Sequence, residues 1–324
     1  MSADNERRTP HEKTSFRPTA RTGHRHVHRR RLPCSVVALA LLLCGTVVLS
    51  ACGKEKITKT AGTSPSATGA TSTAGGGQGA AKRLIFIHHS TGENWLADDN
   101  GGLGKALADR GYFVSDTNYG WGPNAIGDRT DIGNWWEWFR GPDSGRIMAA
   151  VYSEGGQNCS YTRLDTDPGG QNEIIMFKSC FPNSALRGSP DDPVPAIDAN
   201  PLKGKDAGSE VHTVANAKGI YTDLLQYFRQ HPDKLFVVVT APPLSDQTYA
   251  ANARAFNDWL LNDWLAGYDV GNVAVFDLYG VLTDGGPYFS ADGDDHPSQE
   301  GNRKAVAAFV DWLDQTYANW NGGQ

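Results

Sequence analysis

The chain has 324 residues, of which 39% are hydrophobic, 20% charged and 10% aromatic, a composition that excludes disorder throughout its length. The formal net charge is −6, but residues 1–51 hold nine Lys/Arg against three Asp/Glu, whereas residues 52–324 hold 21 against 33. Because the larger part is acidic, it lacks the basic surface that binds nucleic acid, and no nucleic-acid partner is expected.

The first 51 residues have the order of an export signal. A basic segment at 25–31 precedes a 16-residue apolar run, Val36–Ala51, and small residues then lead to Cys52. This ending resembles the lipobox of bacterial lipoproteins, in which the cysteine is acylated and becomes the new N-terminus. The resemblance predicts a lipid anchor at Cys52 and a location on the extracytoplasmic face of the cell membrane. The alternative is an uncleaved single-span anchor, for which 16 residues are short.

Residues 52–82 contain mainly Gly, Ser, Thr and Ala and show no apolar period, which predicts a flexible tether. The remaining residues, 83–324, are enough for one α/β domain. A monomer is expected.

Apolar runs and helical periods alternate along this domain. Five runs predict buried strands, namely Leu84–Ile87, Tyr112–Val114, Ile174–Phe177, Leu235–Val239 and Val273–Phe276. Helices are predicted near 103–110, 210–231, 246–266 and 298–317, and the segment 118–142 is predicted to be a loop. This alternation is typical of a parallel sheet with helices on both faces, in which functional sites lie at the carboxyl ends of the strands.

Two cysteines, Cys159 and Cys180, belong to the domain. An exported protein meets oxidising conditions, so a Cys159–Cys180 disulfide is expected, with two buried thiols as the alternative.

Polar residues that can carry out acyl transfer follow three of the predicted elements. Ser90 comes after the first strand, Asn183 after the third, and His296 directly before the last helix. A serine hydroxyl becomes a nucleophile when a histidine removes its proton, and a carboxylate can hold that histidine in the required tautomer. Amide donors can stabilise the oxyanion that forms.

These residues resemble the SGNH (GDSL-type) hydrolases over about residues 83–317. The resemblance implies a three-layer α/β/α sandwich with a central, mostly parallel five-stranded sheet of flavodoxin-like type, and it implies ester hydrolysis. It assigns Ser90 as the nucleophile, His296 as the base, and Asn183 and Gly120 as oxyanion donors with the Ser90 N–H. Gly122 is the alternative to Gly120.

This chain departs from the family pattern at the acid. The family has an aspartate three residues before the histidine, where Gly293 stands here. Asp294 is predicted to be the acid, with Asp292 or a Ser–His dyad as the alternatives. Each site residue also has an ordinary structural interpretation: Ser90 and Asn183 could cap turns, and His296 could belong to a surface loop.

Further residues near these positions are candidates for substrate binding. His89 is next to Ser90, and Trp121 and Trp135 lie in or after the loop that follows the second strand, where flat rings could stack on a sugar. No cofactor is expected, because the chain has neither a GxGxxG motif nor a P-loop. No metal site is predicted either; His88 or His89 with the Asp292–His296 segment is the alternative.

Two functions agree with these patterns. The first is an extracytoplasmic serine esterase or deacetylase that acts through an acyl-enzyme on an acylated small molecule or glycan. The alternative is a catalytically inactive, membrane-anchored glycan-binding lipoprotein, which the missing family aspartate favours.

Overall fold

The computed structural model of the protein describes residues 81–286, 288–291 and 293–323. The predicted signal peptide, Cys52 and the tether up to residue 80 lie outside these residues, and so does Asp292. Among the described residues, no helix combines the length and the apolar character needed to cross a membrane.

Strands and helices alternate through most of the domain. The strands are β1 (Lys82–Ile87), β2 (Tyr112–Thr117), β3 (Ile174–Lys178), β4 (Leu235–Val239), β5 (Val273–Phe276), β6 (Phe289–Ala291) and β7 (Asp294–Pro297). The helices are α1 (Ser90–Leu96), α2 (Leu103–Asp109), α3 (Trp135–Phe139), α4 (Ser144–Ser153), α5 (Val214–Arg229), α6 (Ala250–Asn262), α7 (Leu278–Thr283) and α8 (Gln299–Gly322).

The central sheet has five parallel strands in the order β2-β1-β3-β4-β5. This is the flavodoxin-like order of doubly wound folds. The order reverses direction between β1 and β3, so the connections that leave these two strands run to opposite sides and open a crevice at their carboxyl ends. β6 and β7 form a separate antiparallel pair directly before α8.

Each face of the sheet is covered by helices because successive side chains of a buried strand point to opposite faces. In β1, Ile85 and Ile87 join a core with side chains of α3, α4, α5 and α6. Leu84 and Phe86 join a second core with side chains of α1, α2, α7 and α8. The predicted fold class, a three-layer sandwich around a five-stranded parallel sheet, is confirmed.

Several elements were not predicted. The supposed loop at 118–142 contains two short 3₁₀ turns, 123–128 and 132–134, followed by α3. Asp131 starts the second turn with a capping box that it forms with Asn134. Helices of five to seven residues, such as α1 and α3, carry too little hydrophobic period to be recognised in a sequence.

Candidate functional site

Ser90 lies at the tight turn between β1 and α1. It is the first residue of α1, and the carbonyl of His89 accepts hydrogen bonds from the N–H groups of Gly92 (2.7 Å) and Glu93 (3.2 Å). Gly92 is required here because a Cβ at that position would lie 2.3 Å from His88 Cβ. The turn leaves Ser90 half-buried, with its hydroxyl at the crevice and its N–H free of an intrahelical acceptor.

The structure brings Ser90 and His296 together across 206 residues of sequence. Ser90 Oγ lies 2.9 Å from His296 Nε2, which is within hydrogen-bond distance. His296 is in β7, and Ser298, two residues later, caps α8 by accepting the N–H of Gly301. The antiparallel pair and the helix cap therefore fix the position of the imidazole at the crevice.

Asp294, the predicted acid, contacts the other ring nitrogen of His296. Its Oδ1 lies 2.7 Å from His296 Nδ1 and also accepts the His296 backbone N–H at 3.0 Å. The hydrogen bond from the His296 backbone N–H first, and then that from the ring, lower the pKa of Asp294, which favours an ionised carboxylate that accepts a hydrogen bond from Nδ1. The side chain of Asp294 is 48% exposed and that of His296 is 26% exposed, so solvent reaches the pair.

The Asn183 amide has a different position from the one expected. Its Nδ2 donates to Asp131 Oδ1 (2.6 Å) and to the Cys180 carbonyl (3.2 Å), and its Oδ1 accepts the Ile132 N–H at 2.9 Å. Both amide hydrogens are therefore used, and the residue is buried. The predicted oxyanion role of Asn183 is not supported, because no donor remains for a ligand.

Gly120 also departs from its predicted role. Its N–H donates to Asp128 Oδ1 at 2.7 Å, which takes up the donor expected to face the oxyanion. Gly122, the alternative, is an exposed glycine with φ +75° two residues further along the same loop. Of the three predicted donors, the Ser90 N–H alone has no acceptor within the described residues.

His89 precedes Ser90 in the chain, and its ring is held on two sides. Its Nε2 donates to the Gly127 carbonyl, and its ring stacks on that of Tyr119 with centroids 4.1 Å apart. Burial lowers the pKa of His89, which favours the neutral ring. Tyr119 was not predicted; it is 60% exposed, and its ring covers one face of the His89 imidazole.

The predicted substrate-binding roles of Trp121 and Trp135 are wrong. Both rings are buried in the core that covers one face of the sheet. Trp135 Nε1 donates to Ser179 Oγ at 2.8 Å, and Trp121 Nε1 donates to Glu154 Oε2 at 2.6 Å. Because their faces pack against other side chains, they cannot stack on a ligand.

The predicted Cys159–Cys180 disulfide is also wrong, since both thiols are free. Cys159 Sγ donates to Oδ2 of Asp116 in β2 at 3.3 Å, whereas Cys180 Sγ, two residues after the end of β3, lies 3.7 Å from Oγ1 of Thr91 in α1. The two cysteines therefore contact different parts of the domain, Asp116 in one case and Thr91 in the other.

Lys178 is a buried cation at the end of β3. Its Nζ donates to the Ser179 carbonyl (3.2 Å) and contacts Cys180 Sγ at 3.9 Å. Among the described residues no carboxylate forms an ion pair with it, and burial lowers its pKa. When the pKa of a lysine is lower in the folded than in the unfolded protein, the lysine reduces the free energy of unfolding at every pH below its unfolded pKa. This reduction becomes smaller as the pH rises towards about 10.4, the ordinary pKa of a lysine.

We therefore expect Lys178→Met to raise the free energy of unfolding at pH 7 by about 1–3 kcal/mol, because an apolar side chain of similar length removes the desolvation cost. Urea denaturation would measure this gain, which should shrink towards pH 10. Lys205→Met, at an exposed position, is the matched control and should change the free energy of unfolding by less than about 0.5 kcal/mol. A destabilised Lys178→Met variant would mean that the ammonium hydrogen bonds outweigh its desolvation.

The chain matches no protein-family model and no curated protein. Among solved structures, it resembles a carbohydrate esterase whose active site is described as displaying divergent catalytic and non-catalytic binding functions. The TM-score is 0.36 and the identity 14%; the similarity covers 74% of this chain and 66%, just under two thirds, of the other. A likeness at this level assigns no function to this chain.

Proposed function

We propose that this protein is a serine ester hydrolase of SGNH type with Ser90 as the nucleophile, His296 as the base and Asp294 as the acid. The observation that carries the proposal is the continuous chain of contacts from Ser90 Oγ to His296 Nε2 (2.9 Å) and from His296 Nδ1 to Asp294 Oδ1 (2.7 Å). A hydroxyl, an imidazole and a carboxylate in this order form the arrangement that activates a serine.

In the proposed reaction, His296 Nε2 takes the hydroxyl proton while Ser90 Oγ bonds to the acyl carbon of the ester. Asp294 accepts the Nδ1 proton in a hydrogen bond and stabilises the imidazolium that forms. The imidazolium then gives its proton to the leaving alcohol, and an acyl-enzyme remains. A water molecule loses a proton to His296, attacks the acyl carbon and releases the carboxylic acid, and Ser90 regains its proton.

The Ser90 backbone N–H is the proposed donor to the oxyanion. It belongs to the same residue as the attacking hydroxyl, and it has no acceptor among the described residues. Removal of one such donor typically costs about 10²–10³ in rate. Asn183 and Gly120 are left out of the proposed mechanism because their N–H groups already bind Asp131, Cys180 and Asp128.

The substrate that we propose is an acylated glycan or a similar flat, polar acyl ester. Tyr119 presents a 60% exposed ring stacked on His89, next to Ser90 in the chain. Phe181 contacts His296 edge-on, with ring centroids 4.9 Å apart. Aromatic faces of this kind pack against the apolar face of a ring in a ligand while leaving its hydroxyls in water.

A catalytically inactive binding protein is the weaker explanation. It was favoured by the absence of the family aspartate three residues before His296, but Asp294 makes the contact with Nδ1 that such an aspartate would provide. The reason for assuming an incomplete triad is thereby removed.

A fluorophosphonate probe tests this function. Because the probe reacts with activated serines, we expect one covalent adduct per chain, located on Ser90 by peptide mass spectrometry. Hydrolysis of p-nitrophenyl acetate and of acetylated oligosaccharides should be lost in the labelled protein. A protein that hydrolyses neither ester and takes up no probe, while still binding oligosaccharides, would instead be the inactive binder.

The location remains a proposal that rests on the sequence. The Leu49–Cys52 segment supports a lipid anchor on the extracytoplasmic face of the membrane. In cells that express the full chain, Cys52→Ala should prevent acylation and move the protein out of the detergent-soluble membrane fraction or block its maturation. A variant that fractionates and migrates like the unchanged protein would contradict the anchor.

A further inference from the structure

Three side chains of types that bind metal ions converge at the ends of β1 and β2. His88 Nε2 lies 3.1 Å from Asp116 Oδ2, and Cys159 Sγ lies 3.3 Å from the same oxygen and 4.0 Å from Nε2. His88 and Asp116 meet because Phe86 pairs with Asp116 in the parallel register, and both are fully buried. Cys159 reaches them from the connection between α4 and β3 and is half-buried.

The other polar atoms of these side chains already have partners. His88 Nδ1 lies 2.9 Å from the His89 carbonyl, and the opposite oxygen of Asp116, Oδ1, accepts hydrogen bonds from the Asn158 N–H (2.7 Å) and the Tyr161 hydroxyl (2.9 Å). A histidine that binds a metal commonly donates its second N–H to a carbonyl in this way, and a binding carboxylate is commonly held by further donors. These contacts orient Nε2, Oδ2 and Sγ towards one another.

Three atoms with lone pairs converge on a small volume. When Nδ1–H donates to the His89 carbonyl in the neutral ring, Nε2 faces the Asp116 carboxylate with a lone pair, and these two acceptors repel unless a proton or a cation lies between them. A divalent cation would neutralise the group, since a thiolate and a carboxylate together carry two negative charges beside a neutral imidazole. A neutral assembly is what a buried site requires.

We propose that His88, Asp116 and Cys159 form a zinc site. Nitrogen, oxygen and sulfur ligands together suit Zn²⁺, which prefers four ligands in a tetrahedron. The distances between the ligand atoms, 3.1 to 4.0 Å, agree with three corners of such a tetrahedron. The fourth ligand is a water molecule that enters from the surface depression lined by Cys159 and its neighbours, including Asn158 and Ser160.

The site would stabilise the turn that carries Ser90. His88 would be held by the metal through one ring nitrogen and donates to the His89 carbonyl through the other, and that carbonyl also accepts the N–H groups of Gly92 and Glu93 in α1. Among the described residues, none of the three ligand side chains forms a hydrogen bond with Ser90 or His296, so the zinc is assigned a role in positioning this turn and none in the proposed ester hydrolysis. This inference does not depend on the esterase proposal.

The test titrates Zn²⁺ into the purified, chelator-treated protein against a chromophoric zinc indicator, with a phosphine keeping the thiols reduced. We expect one Zn²⁺ per chain. Cys159→Ser should weaken binding by more than the 10- to 100-fold that loss of an outer partner costs, because a direct ligand is removed. Cys180→Ser is the matched control, since it removes the other thiol of the domain and should leave the affinity unchanged.

Two readouts on the unchanged protein keep the test valid if a variant folds poorly. Co²⁺ in place of Zn²⁺ should give a near-ultraviolet band from thiolate-to-cobalt charge transfer. Zn²⁺ should also slow alkylation of Cys159 by iodoacetamide but not that of Cys180, as followed by peptide mass spectrometry. Absence of stoichiometric zinc, binding that survives in Cys159→Ser, or equal protection of both cysteines would each overturn the proposal.

Discussion

The Ser90→Ala variant is expected to lose ester hydrolysis, with kcat/KM lower by about 10⁴-fold or more. The substitution removes the oxygen that lies 2.9 Å from His296 Nε2 and that would form the acyl-enzyme. It leaves α1 and its backbone hydrogen bonds in place, so the free energy of unfolding should change little. Initial rates with p-nitrophenyl acetate and with acetylated oligosaccharides measure the loss, and thermal unfolding checks the fold.

The control for this variant is Ser153→Ala. Ser153 is exposed on α4, and its hydroxyl donates to the Ala149 carbonyl of the same helix. Its removal should leave the rate unchanged. A folded Ser90→Ala protein that keeps more than a tenth of the original kcat/KM would assign the activity to another group and end the proposal of Ser90 as the nucleophile.

The Asp294→Asn variant is expected to lower kcat by about 10²- to 10³-fold. An amide can donate to His296 Nδ1, which stabilises the wrong tautomer and removes the charge that balances the imidazolium. Where the acid of a triad is buried, such a change costs about 10⁴. Asp294 is 48% exposed, so water can replace part of its contribution, and the smaller loss is expected. The measurement is kcat as a function of pH for both proteins.

The Asp295→Asn variant is the control that distinguishes the position of the Asp294 carboxylate from its charge. Asp295 is the next residue and changes the local charge by the same amount, but its carboxylate accepts the Ser245 N–H at 2.7 Å. It should keep kcat within a few-fold of the original value. If the two variants lose activity equally, Asp294 acts through the general electrostatic field, and a Ser–His dyad becomes the better description.

The convergence of Ser90 and His296 could be anticipated from the sequence. Ser90 follows a strand and His296 precedes the last helix. In a parallel sheet the segments that follow the carboxyl ends of the strands meet at one edge, and applying this rule requires only that the strands are recognised. The strands were recognisable because apolar runs such as Leu235–Val239 are buried on both faces. The rule predicts which segments meet, but it does not predict the direction of each side chain.

Side-chain direction accounts for the predictions that failed. Asn183 faces Asp131, and the Gly120 N–H faces Asp128. The sequence around the predicted oxyanion donors does not reveal these partners, because a loop conformation decides which donor reaches which acceptor. Asp294, in contrast, was the predicted acid and does contact His296 Nδ1, although this contact depends on the β6–β7 pair, which the sequence did not reveal.

Two predictions made from composition, the tryptophan binding roles and the disulfide, were wrong for a related reason. A tryptophan in a loop can stack on a ligand or fill a core, and the burial of Trp121 and Trp135 follows from how 118–142 folds back onto the sheet. An exported chain with two cysteines favours a disulfide, yet Cys159 binds Asp116 instead.

The sequence by itself determined the order of the five sheet strands and of four helices, the class of the fold and the chemical types available at one edge of the sheet, because burial periods and residue types are local properties. Tertiary structure alone decided which aspartate reaches His296, which donors are already occupied, and that His88, Asp116 and Cys159 meet. These outcomes depend on distances between segments far apart in the chain, and such distances are set by packing and strand register.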